Sequence, residues 1–239
     1  MPPSTRPAWP AHLLLARVST LCWLLPQGAL AADPPPRCDR PFTLALHDHG
    51  LLYDSQTGEG IDRDMADALL QRGQLGGRRI SRIVLADQAP APADLLADTR
   101  GEASTGPLLA QTAALREEHF DGVFHLASAV SGECEADFDL GLRSNLDSTR
   151  ALLDALRHRV QKLGAAPTRL VFSSSIAVFG PDPAYPFPAQ VGDSTLPMPQ
   201  TSYGTQKLIC EHLIADNTRK GFIDGRAARQ NRGCGRAGA

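Results

Sequence analysis

Tyr203 and Lys207 stand four residues apart in the segment SYGTQKLICE, whose composition suits a helix, so both side chains project from one helical face. A phenol is a poor base near neutrality, because its reference pKa is about 10. An ammonium about 4 Å away, at an effective dielectric of about 20, is worth about 4 kcal/mol. That interaction brings the phenol down toward a pKa of about 7. A tyrosine poised in this way can take the proton of a substrate alcohol as hydride leaves the adjoining carbon. The same spacing also occurs on ordinary solvated helices, so the pair needs a second signal.

That signal is the run Leu170-Val171-Phe172 leading into Ser173-Ser174-Ser175, with Ser175 placed 28 residues before Tyr203. Hydroxyls at the carboxyl end of a parallel strand lie where open α/β sheets bind ligands. One of them can donate to a substrate oxygen beside Tyr203. The alternative is a solvated turn, which the apolar strand running straight into the serines disfavours. Asp87 closes another strand, ISRIVLAD. An acid there can accept hydrogen bonds from an adenosine ribose and would favour NAD over NADP; equally, it could cap a helix or face solvent. His125-Leu126-Ala127-Ser128 ends a third strand, where small residues let a cofactor approach the backbone; His125 itself reads as a core histidine rather than a catalytic one. His47 and His49 alternate about Asp48, but no third ligand stands near, so no metal site is expected.

Elements must position these residues, and the pattern supplies them. Phe42 to Leu46 alternates as a strand, and 54–60 forms turns. Residues 61–71 read as a helix with Ile61, Met65, Ala68 and Leu69 on one face and Gly73 as its stop. A strand follows at 80–86, a helix at 108–118 and a strand at 123–127. A long helix at 138–163 has Leu142, Leu146, Thr149, Leu153, Leu156 and Val160 in one stripe, and Gly164 ends it. A proline-rich loop at 181–199 precedes the last helix, 202–220, and the tail 225–239 reads as disordered. Strands alternating with helices imply an α/β fold, a Rossmann-like parallel sheet with crossover helices.

Of the 239 residues, 42% are hydrophobic and 21% charged, which permits a packed core. A net charge of −2 gives no electrostatic case for nucleic acid or an anionic membrane surface as partner. The five cysteines include no C-x-x-C pair, so a disulfide framework or zinc site is not expected. No apolar run reaches the ~18 residues of a membrane span. Residues 1–31 form a candidate signal peptide, with Arg6 at its start, a partly apolar stretch from Leu13 to Leu25, and Ala29-Leu30-Ala31 as a cleavage pattern. Proline-rich residues 32–41 then read as a linker. The expected organisation is thus 1–31 signal, 32–64 atypical N-terminal segment and linker, 65–224 partial NAD(P)-binding domain, and 225–239 tail.

The segments FHLASAVSGECEADFDLGLRSNLD, RLVFSSSIAVFG and SYGTQKLICE resemble the extended short-chain dehydrogenase/reductase family, the NAD-dependent epimerase/dehydratase superfamily, and within it the D-erythronate dehydrogenase branch. The resemblance covers roughly Asp67 to Asp224. It implies Tyr203 as general base, Lys207 as the group that lowers its pKa and holds the nicotinamide ribose, and Ser175 as the group that polarises the substrate oxygen. It implies that Asp87 binds the adenosine ribose, that Leu126, Ala127 and Ser128 line the cofactor, and that Asn145 orders the site's water and backbone. The implied cofactor is NAD. The implied reaction oxidises a secondary alcohol of a sugar acid to a 2-oxo acid by hydride transfer in the cytoplasm, in a homodimer packed through helices 138–163 and 202–220.

Upstream of Met65 there is no G-x-x-G-x-x-G loop to seat a pyrophosphate on a helix N-terminus, and the sequence after the Tyr-Lys helix suggests no substrate lobe. The fold is therefore expected to be incomplete, with its first glycine-loop strand and its substrate lobe missing or replaced. The stretch FTLALHDHGLLYDSQTGEGIDRDMADAL, after a signal-like leader, resembles the start of a periplasmic solute-binding protein. Three alternatives to an active dehydrogenase stay open: an inactive fragment or chimera, a nucleotide-sugar epimerase or dehydratase, and a solute-binding module with export to the periplasm.

Overall fold

Apolar strands separated by amphipathic helices can bury both faces of a sheet only if the strands run parallel. The computed structural model, which describes residues 42–48, 61–182 and 184–230, has this arrangement. Its elements are β1 (Phe42–Asp48), α1 (Ile61–Arg72), β2 (Gln74–Leu75), β3 (Arg78–Asp87), β4 (Gly101–Thr105), α2 (Leu108–Glu117), β5 (Gly122–His125), α3 (Ser131–Ala136), α4 (Phe138–Gly141), α5 (Ser148–Leu163), β6 (Thr168–Ser175), α6 (Ser202–Arg219) and β7 (Ile223–Gln230). The strands lie in the order β4-β3-β1-β5-β6-β7, all parallel, and the two-residue β2 pairs antiparallel with the start of β3. This is the 3-2-1-4-5-6 order of doubly wound dinucleotide-binding sheets. The strand order reverses between β1 and β5, and the carboxyl ends there form the crevice in which such sheets bind ligands.

Strand alternation divides the core. On β3, Val84 joins a cluster with Leu115 of α2, Leu152 and Leu156 of α5, Phe172 of β6 and Ile214 of α6. Its neighbours Ile83 and Leu85 face the other way, against Ala66, Leu69 and Leu70 of α1. Leu152 and Leu170 are wholly buried. Gly164 closes α5 in the left-handed region, with φ of 63°, where a Cβ is disfavoured.

The expected strand at Phe42–Asp48 forms and lies at the centre, where Leu46 pairs with Leu85 on one side and Phe124 on the other, so the first strand is replaced rather than missing. Several other expectations are corrected. The tail is not disordered up to residue 230, since β7 pairs with β6 from Thr168–Ile223 to Ser175–Gln230. The strand pairs along its whole length with β6, and among its described side chains only Ile223 is buried, so it has no apolar period to read. The helix expected at 138–163 is three pieces, with a π-helical turn at Leu142–Asp147 between α4 and α5. On α1 the buried stripe is Ala66, Leu69 and Leu70, whereas Ala68 is exposed. Strand β4 and helix α3 were not anticipated. The candidate signal peptide, the linker, the segment 49–60 and residues 231–239 lie outside the described residues. Among the described residues no helix is long and apolar enough to cross a membrane.

Candidate active site

Thr201 caps α6, its hydroxyl accepting from the Gly204 backbone N–H at 3.0 Å. The helix start is pressed onto a short 3-10 turn, Ile176–Val178, that follows β6. At Gly204 a Cβ would lie 2.1 Å from the Ala177 carbonyl oxygen, so only glycine permits this approach. Close docking brings the next turn of α6 over the end of β6. Lys207 is 2% exposed. Its Nζ donates to the Ser173 carbonyl at 2.8 Å and stands 4.7 Å from the Phe172 ring centroid and 5.5 Å from that of Tyr203. The Ser175 hydroxyl accepts from the Ala177 N–H at 3.1 Å. Tyr203, Lys207 and Ser175 are thus assembled from α6 and the end of β6.

The neighbouring serine, Ser174, donates to Glu211 Oε1 at 2.5 Å. Arg229 of β7 grips the same carboxylate through Nε at 2.9 Å and Nη2 at 2.7 Å, and its guanidinium lies 4.8 Å from the Phe179 ring centroid. Burial pushes the Glu211 carboxyl up, but the hydrogen bonds from Arg229 and Ser174 outweigh it and hold it below the usual carboxylate range.

A second group forms beyond β5. Asn145, in the π-helical turn, is 3% exposed and its amide is fully engaged. Its Nδ2 donates to the Ala129 carbonyl at 3.2 Å, to Gln206 Oε1 at 2.8 Å and to Cys134 Sγ at 3.3 Å, while its Oδ1 accepts from Ser128 Oγ at 3.0 Å. Asn145 therefore ties the loop after β5 to α6. His125 is 1% exposed, with Nε2 2.8 Å from Thr149 Oγ1 and its ring 5.5 Å from that of Phe172, the environment of a core histidine. Burial raises the thiols of Cys134 and Cys210, both free, which keeps them protonated.

Asp87, Ala127 and Ser128 line one cavity of 260 Å³ at the carboxyl ends of β3 and β5, together with Gly106, Leu140 and Arg143. Leu126 is 7% exposed and is not part of its lining. The Asp87 side chain accepts from the Ala89 N–H at 2.9 Å, and its carbonyl accepts from Gly106 N–H at 2.7 Å. Among the described residues no cluster of His, Cys, Asp or Glu could hold a metal ion. Sequence reasoning missed Gln206, Glu211 and Arg229. The first two lie inside SYGTQKLICE, and Glu211 continues the four-residue spacing of Tyr203 and Lys207.

Residues 64–235 match the NAD dependent epimerase/dehydratase family. The chain belongs to this family. Over 173 residues it is 46% identical to the D-erythronate dehydrogenase of Cupriavidus necator, covering 69% of this chain and 49% of the relative. Over 121 residues it is 44% identical to the D-erythronate dehydrogenase of Haemophilus influenzae, covering 51% of this chain and 36% of that one. The chain thus spans about half, or less, of the length of these curated relatives. Among solved structures, the nucleoside-diphosphate-sugar epimerase of Agrobacterium tumefaciens is 38% identical with a TM-score of 0.68, over 83% of this chain and 55% of that one. The UDP-glucose 4-epimerase of Brucella ovis, solved with NAD, is 25% identical with a TM-score of 0.59, over 80% and 51%. Nothing in the structure or in these relatives supports the solute-binding resemblance of the N-terminal segment.

Proposed function

We propose that this chain is an NAD-dependent oxidoreductase that oxidises a secondary alcohol of a D-erythronate-like sugar acid to the 2-oxo acid. The observation that carries this reading is the buried Lys207 cation, held between the Ser173 carbonyl and the Tyr203 ring at the end of the serine strand. Tyr203 takes the alcohol proton, helped by the positive charge beside its ring. Ser175 orients the substrate oxygen, and Lys207 fixes the nicotinamide ribose. The cavity beside Asp87, Ala127 and Ser128 fits the adenosine end: it opens at the strand ends, and a carboxylate there can accept from the ribose hydroxyls. Bound in this crevice, NAD supplies the hydride acceptor. Asn145 acts through the Ser128 loop that it holds.

The test is calorimetric titration of NAD into the purified chain, followed by NADH absorbance on adding D-erythronate. Binding followed by turnover is expected, with Tyr203→Phe binding NAD normally and losing turnover by a factor of ~100 or more. No NAD binding would refute the reading and leave the inactive-fragment alternative. A second reading, epimerisation of a nucleotide-linked sugar, is favoured by the similarity to the Agrobacterium epimerase. Conversion of a UDP-sugar without net NADH accumulation would select it.

A further inference from the structure

Tyr203, Lys207 and Glu211 follow one another at four-residue spacing on α6, so they form a single stripe against the sheet. The proposed function uses the first two. Glu211 has no part in it, yet it sits where three elements and a turn converge. It accepts from Ser174 of β6 and is gripped through two nitrogens by Arg229 of β7. Arg229 is paired in register with Ser174, so strand pairing itself sets the guanidinium beside the serine strand. The guanidinium also covers Phe179, immediately after the 3-10 turn that receives Gly204. The side chains of Glu211 and Arg229 are 11% and 20% exposed, so this pair is little screened by water.

The end of β6 is therefore pinned to α6 at two successive residues, Ser173 through its carbonyl to Lys207 and Ser174 through its hydroxyl to Glu211. Lys207 reaches the Ser173 carbonyl with an ammonium on a flexible stem, a looser constraint on the placement of a helix against a strand than a planar fork. The Arg229–Glu211 fork has fixed geometry. We infer that Glu211 is a positioning residue: clamped by Arg229, it sets the end of β6 against α6 and so determines where Lys207 and Tyr203 stand relative to Ser175. This assignment rests on the proposed roles of those three residues. It gives β7 a part in the site through Arg229.

The test reads Lys207 directly, without requiring turnover. The chain has three lysines, Lys162, Lys207 and Lys220, and both others are exposed. In the full chain labelled with nitrogen-15 lysine, the Lys207 ammonium should give a signal protected from solvent exchange. Glu211→Gln and Arg229→Gln should each lose that protection while circular dichroism shows a folded protein. Leu115→Ala, a cavity in the core away from the clamp, should destabilise the chain yet leave the signal unchanged. A protected Lys207 signal that persists in folded Glu211→Gln would overturn the inference, as would its loss in Leu115→Ala. Should Glu211→Gln fail to fold, Ser174→Ala and Arg229→Lys replace it, and an unchanged signal in both would overturn it equally. NAD titration of the same samples separates the two ideas. Absent NAD binding with a Glu211-dependent Lys207 signal would refute the function and leave the clamp standing.

Discussion

Burial expels most ammonium groups, because the charge loses its water shell. Lys207 donates to the Ser173 carbonyl and lies beside the rings of Phe172 and Tyr203, contacts that help stabilise the buried cation. Lys207→Met should therefore leave the thermal midpoint unchanged or raise it, since apolar replacement of a buried charge is often neutral or stabilising. Turnover should nevertheless be lost, and calorimetry alongside a rate assay checks both. Asn145→Ala is expected to cost about 1–3 kcal/mol in denaturant melts, since it orphans a buried set of partners. Glu211 predicts a pH effect of definite sign. Its folded carboxyl lies below the ordinary value of 4.5, so the stability it contributes is fully present above that value and is lost as pH falls through the lowered folded value. Melting curves of the native chain and Glu211→Gln should therefore differ at pH 7 and converge on acidification.

Element by element, helix α6 shows how a local rule becomes a site. Gly204→Ala would drive a methyl into the Ala177 carbonyl and push the helix start away from β6. It should cost ~1–3 kcal/mol by thermal melting and, because Tyr203 and Lys207 move with the helix, should lower turnover more than its stability loss explains. Most of this element was legible in the sequence. Its length and the Tyr203–Lys207 face follow from spacing and composition. What stayed hidden has physical causes. The π-helical turn around Asn145 inserts its irregularity inside a continuous apolar stripe, which periodicity cannot register. Strand β7 carries arginines and alanines without an apolar period, and its backbone ladder with β6 cannot be read from side-chain types. Gln206 and Glu211 were in plain view as ordinary polar helix residues, and only their burial against other elements distinguishes them. Asp87 and Ser128 were readable as strand-end residues, but their meeting in one cavity depends on the strand order.

At the level of the whole molecule, that order puts β1 between β3 and β5, and the cavity opens beside the point where the winding reverses. We propose that two copies associate through the expected surfaces, 138–163 and 202–220. Phe138, Leu163 and Ile209 on these stretches are exposed, a placement that suits burial by a second copy. Light scattering should give twice the mass of the chain, and Phe138→Glu with Ile209→Glu should return the monomer. A monomeric native chain would exclude this mode of assembly.

The central place of β1 has a further consequence, in time rather than in space. On the ribosome β1 is made before the other described strands, yet Leu44 must wait for Gly122 before its second edge is covered. At synthesis rates of about 5–20 residues per second, that leaves an uncovered edge for roughly 4–16 s. Exposed edges recruit other chains during such an interval. Soluble yield of this protein should thus depend on how many nascent copies share that interval, and lowering the expression level should raise the soluble fraction even though the finished fold is unchanged.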